Sequence, residues 1–517
     1  MLVDAWVSDD ALITFRYVDN FLHGHGAVFN PGERVQGYTH PLWFLLLSVT
    51  TAVSHDEVWS AVVLGLACTV LTCLAVTGGY MAAGRETAGE GGGWTGLAIG
   101  GLVLALLAIS DSWRSFQTSG LETSLTTLLL TLLVLELRPG ESLYADSSSS
   151  SPSPSSERGA RSGGVVVASS PKSAVVLLLG VLLVLTRPDL GLIAGPPCLV
   201  ALYEVYRRRT WPDLLAGLPL LWFAFARLYY HDFLPNTGAA KLGIFTFSQA
   251  VDQGWTYLKD WVSHEPSSAG AALAFFGIAA VRVRSRHEIA VLLGLLAYVA
   301  YVLVIGGDFM RGRFCIPVFV TSLVMGGVVL VRNFAALPAR RFSLAAGAVA
   351  FLVILTGPFI EPEIGSDRTI PESGIVNERG FYWPGYSFAS YRKQHRLINP
   401  AIDSTVVQEF RRYVDKCGSI TIHSKNPSYL GYLVGPKMTL IDTHGLTDRF
   451  IARLPNDALI ERPPRPGHPD WFIPVKYLAS RGDVSLLPDW QQGVKDLDCD
   501  MTKRVEPLLK SDAKVKP

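Results

Sequence analysis

Ten apolar runs separated by short polar turns restrict this chain to a bundle of helices set in lipid. They are Val58–Tyr80, Trp94–Ser110, Leu121–Leu137, Ala174–Thr186, Leu190–Tyr206, Trp211–Leu228, Ala271–Val281, Ile289–Ile305, Cys315–Val331 and Leu344–Ile360. Several fall short of the roughly 20 residues that a full span needs, so tilted or broken helices are expected, with Pro196-Pro197 permitting a kink inside a packed bundle. The composition agrees: 49% of the 517 residues are hydrophobic and only 17% are charged, where soluble domains run to about a quarter charged. A net charge of +1 leaves no electrostatic footprint for nucleic acid.

Basic residues orient the bundle. Arg207-Arg208-Arg209, Arg282/Arg284/Arg286, Arg340-Arg341 and the weaker Arg85 fall in alternate loops, which the positive-inside rule makes cytoplasmic. The opposite side then carries the N-terminal segment, the Asp111–Gly120, Tyr229–Gly270 and Gly306–Arg313 loops, and everything after Glu361. Pro41–Val53 is thirteen residues long, and counting it as a span would invert every later loop, so it reads as a re-entrant or interfacial helix. Leu12, Phe15, Val18 and Phe21 ahead of it form the stripe of an interfacial amphipathic helix. No basic region followed by an apolar core, the mark of a cleavable signal peptide, stands at Met1.

The expected organisation is a first extracytoplasmic loop over 1–56, a multi-span domain over 57–360 and an extracytoplasmic α/β cap over 361–517 that is a possible carbohydrate-binding domain. A Ser-rich linker over 139–172 interrupts the span domain and is expected to be disordered and cytoplasmic. In the cap, Ser419–His423, Pro427–Val434 and Met438–Asp442 read as strand, helix, strand. Cys417 and Cys499 lie there and could pair if that region faces an oxidising compartment, while Cys68, Cys73, Cys198 and Cys315 sit in apolar runs as small hydrophobes.

Ionisable residues cluster on the side assigned outward. Helix capping by Ser8 or Asp9 accounts for one acidic residue, but not for Asp10 together with Arg16, Glu33, Arg34 and His40 in one segment. Glu122 follows Thr118-Ser119-Gly120 at a capping-box-like start of a run. Arg187, Asn236, Lys241, Asp308, Arg311 and Arg313 recur in the other outer loops, and guanidiniums suit phosphate oxygens because their planar fork binds two at once. No HExxH, paired CxxC, Walker A or GxSxG motif competes.

The segment SDDALITFRYVDNFLHGHGAVFNPGERVQGYTHPLW, then TSGLE, RPDL, PNTGAAKLG, GGDFMRGRF, IDTHGLTDRFIARLP and RPGHPDWFIP, resembles the terminal β-(1→2)-arabinofuranosyltransferases of mycobacteria and corynebacteria. The resemblance implies a GT-C fold: an α-helical polytopic membrane protein with a C-terminal extracytoplasmic α/β domain. It implies a plasma-membrane enzyme of cell-wall biogenesis that moves D-arabinofuranose from decaprenyl-phosphoryl-arabinose to the non-reducing ends of arabinan, in arabinogalactan or lipoarabinomannan. Its partners are that lipid donor, the arabinan acceptor and membrane lipid.

By the same resemblance Asp9 and Asp10 are the catalytic acidic pair. Arg187, Lys241, Arg311 and Arg313 are candidates for the donor phosphate; Arg16, Glu33, Arg34, His40, Glu122, Asn236, Asp308 and His468 are candidates for sugar contacts. For His468, as for His444, the plainer reading is a structural histidine, and after Gly467-His468 this chain carries Pro469-Asp470-Trp471 where the family tends to have an aromatic and an Arg. No cofactor is implied; a divalent cation bridging Asp9 or Asp10 to phosphate stays open, without ligand spacing to support it. The family places a span ahead of the acidic pair, and eight residues precede it here. A β-linked donor and a β-linked product mean net retention, which needs a covalent intermediate or same-face attack. Two other readings are a GT-C transferase for another polyprenyl-phosphate sugar and, in a different class, a lipid-linked sugar transporter. The latter wants inverted repeats and charges near span centres, which the sequence lacks.

Overall fold

The structure is a computed structural model that describes residues 5–137, 171–241, 244–283, 285–336, 370–460 and 466–516. The run Leu344–Ile360, residues Arg284, Arg340 and Arg341, and nearly all of the Ser-rich linker lie outside the described residues.

Helix α1 (Asp9–Leu22) is followed by α2 (Pro41–Ser54), which Pro41 opens at a position where its missing N–H costs nothing. Next comes α3 (Glu57–Ile109), 53 residues long and broken at Ala88 and Gly89, where φ changes from −147° to +64°. The two halves fold back on each other as a hairpin: Gly84 meets the backbone of Gly92, and Gly96 meets that of Tyr80. A Cβ at Gly84, Gly92 or Gly96 would collide with the facing backbone, so the glycines set the close approach. The two expected runs Val58–Tyr80 and Trp94–Ser110 are the arms of this hairpin, with Arg85 and Glu90 paired across its turn.

Helices Thr123–Glu136, Pro171–Thr186, Gly191–Arg208, Pro266–Val281, Arg286–Val304 and Ile316–Phe334 complete the helical part. Three helical segments are long and apolar enough to cross a membrane, Glu57–Ile109, Arg286–Val304 and Arg313–Phe334, among the described residues. The run Trp211–Leu228, one of those shorter than a full span, is a broken helix. It is a 3₁₀ helix over Trp211–Leu220 followed by an α-helix over Leu221–Tyr229. Pro212 and Pro219 each remove a backbone donor from this stretch.

The strand–helix–strand reading of the C-terminal region is what the structure contains. Strands β1 (Ile420–Ser424) and β2 (Met438–Asp442) pair in parallel, Ile420 opposite Met438, with helix Pro427–Val434 connecting them. A second, antiparallel pair joins Ile473–Pro474 to Lys514–Val515. Cys417 and Cys499 form a disulfide. The fold class is therefore an α-helical membrane protein with a smaller C-terminal α/β region.

The amphipathic helix expected at Leu12–Phe21 is not half-exposed. Leu12, Phe15 and Val18 are buried, and so are Arg16, Tyr17 and Asn20 beside them, because α1 lies between α2 and helix Pro427–Val434. The residues before it are tied to the C-terminal region as well: Val7 N–H donates to Tyr386 O at 3.0 Å, and Phe388 N–H donates to Ala5 O at 2.7 Å. N-terminal segment and C-terminal region thus interlock, holding α1 rigidly against the mouth of the bundle.

Candidate active site

One cavity of about 300 Å³ opens where α1 meets the helical bundle. Its polar wall carries Asp10, Thr14, His40, Arg187, Asp189, Lys241, Asp308 and Arg313. Its apolar wall includes Leu234, Ile244, Phe245, Tyr301, Ile305 and Phe314. An apolar slot ending in mixed charge is a shape suited to a lipid with an anionic head.

The adjacent aspartates part company here. Asp10 faces the cavity, and its carboxylate has no hydrogen-bond partner among the described residues. Burial raises its pKa, while Lys241 and Arg313 pull it down. Asp9 points the other way. Tyr386 Oη donates to its Oδ1 at 2.7 Å, Ser428 Oγ donates to its Oδ2, and its N–H donates to Glu378 Oε1 at 3.2 Å. Burial, opposed by the Ser428 and Tyr386 hydrogen bonds, pushes the Asp9 carboxyl up to about 6.

Behind the cavity wall lies a buried charge network centred on Glu122, which is fully buried. Arg313 Nη2 donates to Glu122 Oε1 at 2.9 Å, Arg187 Nε lies 3.8 Å from the same oxygen, and His40 Nδ1 lies 3.2 Å from Oε2. Three basic side chains thus converge on one buried carboxylate. Arg187 is further bound to Asp189 at 2.6 Å and lies over the Phe314 ring at 4.5 Å. Asp308 sits 3.8 Å from Arg313 with one oxygen buried and unpartnered. Two cavity cations are therefore partly neutralised. Lys241 differs: its Nζ lies 5.9 Å from the Phe309 ring centroid, and no carboxylate among the described residues pairs with it.

Several residues expected in the site lie elsewhere. Arg311 turns away and binds Asp260 at 2.9 Å, so its guanidinium does not reach the cavity. Arg16 is a structural tie, donating to Phe29 O at 2.6 Å and Met438 O at 2.5 Å, and so pinning α1 to β2. Glu33 pairs with Arg481, and Arg34 is exposed over the Tyr229 ring. Asn236 donates to Gly445 O at 2.7 Å and accepts from Arg453, locking its loop to the C-terminal region. His468 packs edge-on against Phe309 and His444, next to the cavity-lining Gly467. Two residues not singled out from sequence do matter: Thr14, whose signal was its place one turn after Asp10, and Glu378, which had none. No group of three or more metal-ligating side chains occurs among the described residues.

A helical membrane protein whose apolar-sided cavity brings the Asp10 carboxylate to face both paired and unpaired cations is the class that fold and site define. Comparison with known proteins gives the particulars. No family model matches the chain. The terminal β-(1→2)-arabinofuranosyltransferase of Corynebacterium glutamicum is 29% identical over 345 residues, 62% of this chain and 47% of that protein. The enzyme of the same name from Mycobacterium tuberculosis is 29% identical over 429 residues, 73% of this chain and 62% of that protein. The chain thus spans between about half and three fifths of the curated relatives it matches. The resemblance carried by the motifs is borne out in these two relatives. Among solved structures, ArnT from Cupriavidus metallidurans aligns over 86% of this chain and 84% of its own. The TM-score is 0.41 with 14% identity when bound to undecaprenyl phosphate, and 0.43 with 15% identity in the apo state.

Proposed function

We propose that this chain is a multi-pass plasma-membrane glycosyltransferase of GT-C type. It moves D-arabinofuranose from decaprenyl-phosphoryl-arabinose to the non-reducing ends of cell-wall arabinan, with its cavity on the extracytoplasmic side. The observation that carries this reading is the unpartnered Asp10 carboxylate sharing one cavity with Lys241, Arg187 and Arg313.

The chemistry follows from the groups present. The donor is already an activated phosphodiester whose leaving group is a polyprenyl phosphate, so the protein must supply charge for that departing phosphate and a base for the incoming hydroxyl. Lys241 is the cation free to meet the phosphate, with Arg313 and Arg187 beside it. Asp10 takes the acceptor proton, its raised pKa making it a better base than an exposed carboxylate. Asp9 acts as a positioning residue that fixes the start of α1. For a retaining course, Asp308 offers a second cavity carboxylate on a separate element, which the neighbouring Asp9 cannot.

The test is a reconstituted assay of the purified chain with synthetic decaprenyl-phosphoryl-arabinose and an arabinan acceptor. Transfer that disappears on Asp10→Asn supports the reading. Transfer of a different polyprenyl-phosphate sugar in its place would replace it.

A further inference from the structure

Thr14 lies one helical turn after Asp10, so both side chains share the face of α1 that lines the cavity. Thr14 Oγ1 is 2.8 Å from Nε2 of His40, and His40 Nδ1 is 3.2 Å from Oε2 of Glu122. A hydroxyl, an imidazole and a carboxylate therefore stand in line, from α1, from the residue that caps α2, and from the turn opening helix Thr123–Glu136. All three are buried.

The line has a direction. Glu122, held ionised by Arg313, can only accept. Its negative charge, 3.2 Å from Nδ1 but not aligned with it as a hydrogen bond, favours the tautomer that carries the proton there, while burial pushes the His40 pKa down to about 4 and keeps the ring neutral. The hydrogen-bond partner of that nitrogen is the Thr39 hydroxyl, 3.4 Å away, whose oxygen accepts when the proton sits on Nδ1. A neutral imidazole carrying its proton on Nδ1 presents a lone pair on Nε2, and that lone pair takes the Thr14 proton. A hydroxyl whose proton is so committed offers only its oxygen to the cavity.

We propose that Thr14, oriented by His40 and Glu122, sets specificity: its oxygen accepts a hydrogen bond from a non-reacting hydroxyl of the acceptor sugar whose reacting hydroxyl meets Asp10. The identity of that sugar rests on the transferase reading; the direction of the relay does not. His40 is a positioning residue, acting through Thr14. The arrangement explains a buried histidine at a catalytic rim that is too weak a base to carry the proton itself.

Two measurements on the full chain decide it. In the first, ¹⁵N-histidine spectra, with His40 assigned by its loss in His40→Asn, report the ring's tautomer. A neutral ring protonated on Nδ1, perturbed by Glu122→Gln, is expected; a ring protonated on Nε2 overturns the relay. The second compares a short arabinofuranosyl acceptor with its monodeoxy analogues. Deleting one non-reacting hydroxyl and making Thr14→Val should each lower kcat/KM roughly tenfold, and together no further, since both remove the same hydrogen bond. Thr14→Ser, which keeps the oxygen, should restore the discrimination. Additive losses, or a Thr14→Ser protein that behaves like Thr14→Val, contradict the proposal. A wild-type chain that transfers no arabinose sinks the transferase reading instead, and the histidine spectrum then decides the relay by itself.

Discussion

The two faces of α1 are built on opposite principles. On the face turned to the C-terminal region both Asp9 oxygens are satisfied, by Tyr386 and Ser428, and Glu378 accepts from Ser8 Oγ at 2.8 Å through one of its two oxygens. On the face turned to the cavity, Asp10 has no such partner, and Lys241 opposite it is also unpaired among the described residues. A satisfied buried polar group specifies position, whereas an open one retains free energy for a ligand. The same helix is thus anchored by one aspartate so that the next can be presented.

Replacing the two in turn gives the largest expected contrast. Asp10→Asn should cost on the order of 10³-fold in turnover, in the range removed with a general base, while Asp9→Asn keeps turnover within about tenfold, because the amide can still hold one of its two hydroxyl partners. Equal losses would erase the distinction between the faces. Next in size is the comparison of cations. Lys241→Ala should lower kcat/KM for the lipid donor by ten- to a hundredfold, as expected of a charged hydrogen bond of about 1.5–3 kcal/mol. Arg311→Ala, whose guanidinium serves Asp260, should leave it within about threefold.

A smaller effect is read in stability against pH. Asp9 has a folded pKa of about 6 against an ordinary 3.8, burial being the main cause. The folded protein therefore binds this proton more tightly than the unfolded chain does. Its contribution is complete below the ordinary value and is lost as the pH rises through about 6. Thermal unfolding in detergent should show the stability of wild type relative to Asp9→Asn falling across that window; a flat difference means Asp9 is not buried as described. Smallest of all, Tyr386→Phe removes one hydroxyl from Asp9 and should cost about 1–3 kcal/mol of stability, with turnover unchanged.

The helical architecture is legible in the sequence wherever it is local. Ser419–His423 and Met438–Asp442 read as strands on either side of a helix, and the Arg85 loop separates the two runs that form the α3 hairpin. The run Trp211–Leu228 is legible as an apolar segment but not as a 3₁₀ helix passing into an α-helix, because hydropathy does not register what Pro212 and Pro219 do to a backbone. The site is legible as a set of residues and not as an arrangement. Asp10, His40, Glu122, Arg187, Lys241, Asp308 and Arg313 do converge on the cavity or its wall. What separates Asp9 from Asp10 are Tyr386 and Ser428, more than 370 residues along the chain. No local pattern could say which aspartate they would claim. Arg16, Arg311 and Asn236 look the same in sequence as the cations and amides of a binding site, yet each is consumed by a distant structural partner.

Asp10 and Lys241 must face each other across one cavity, and paired cysteines test that placement without any assay of function. With Cys68, Cys73, Cys198 and Cys315 replaced, the double variant Asp10→Cys, Lys241→Cys should be joined by a short bifunctional thiol reagent. Asp9→Cys, Lys241→Cys should not. Cross-linking of the second pair and not the first would contradict the central claim.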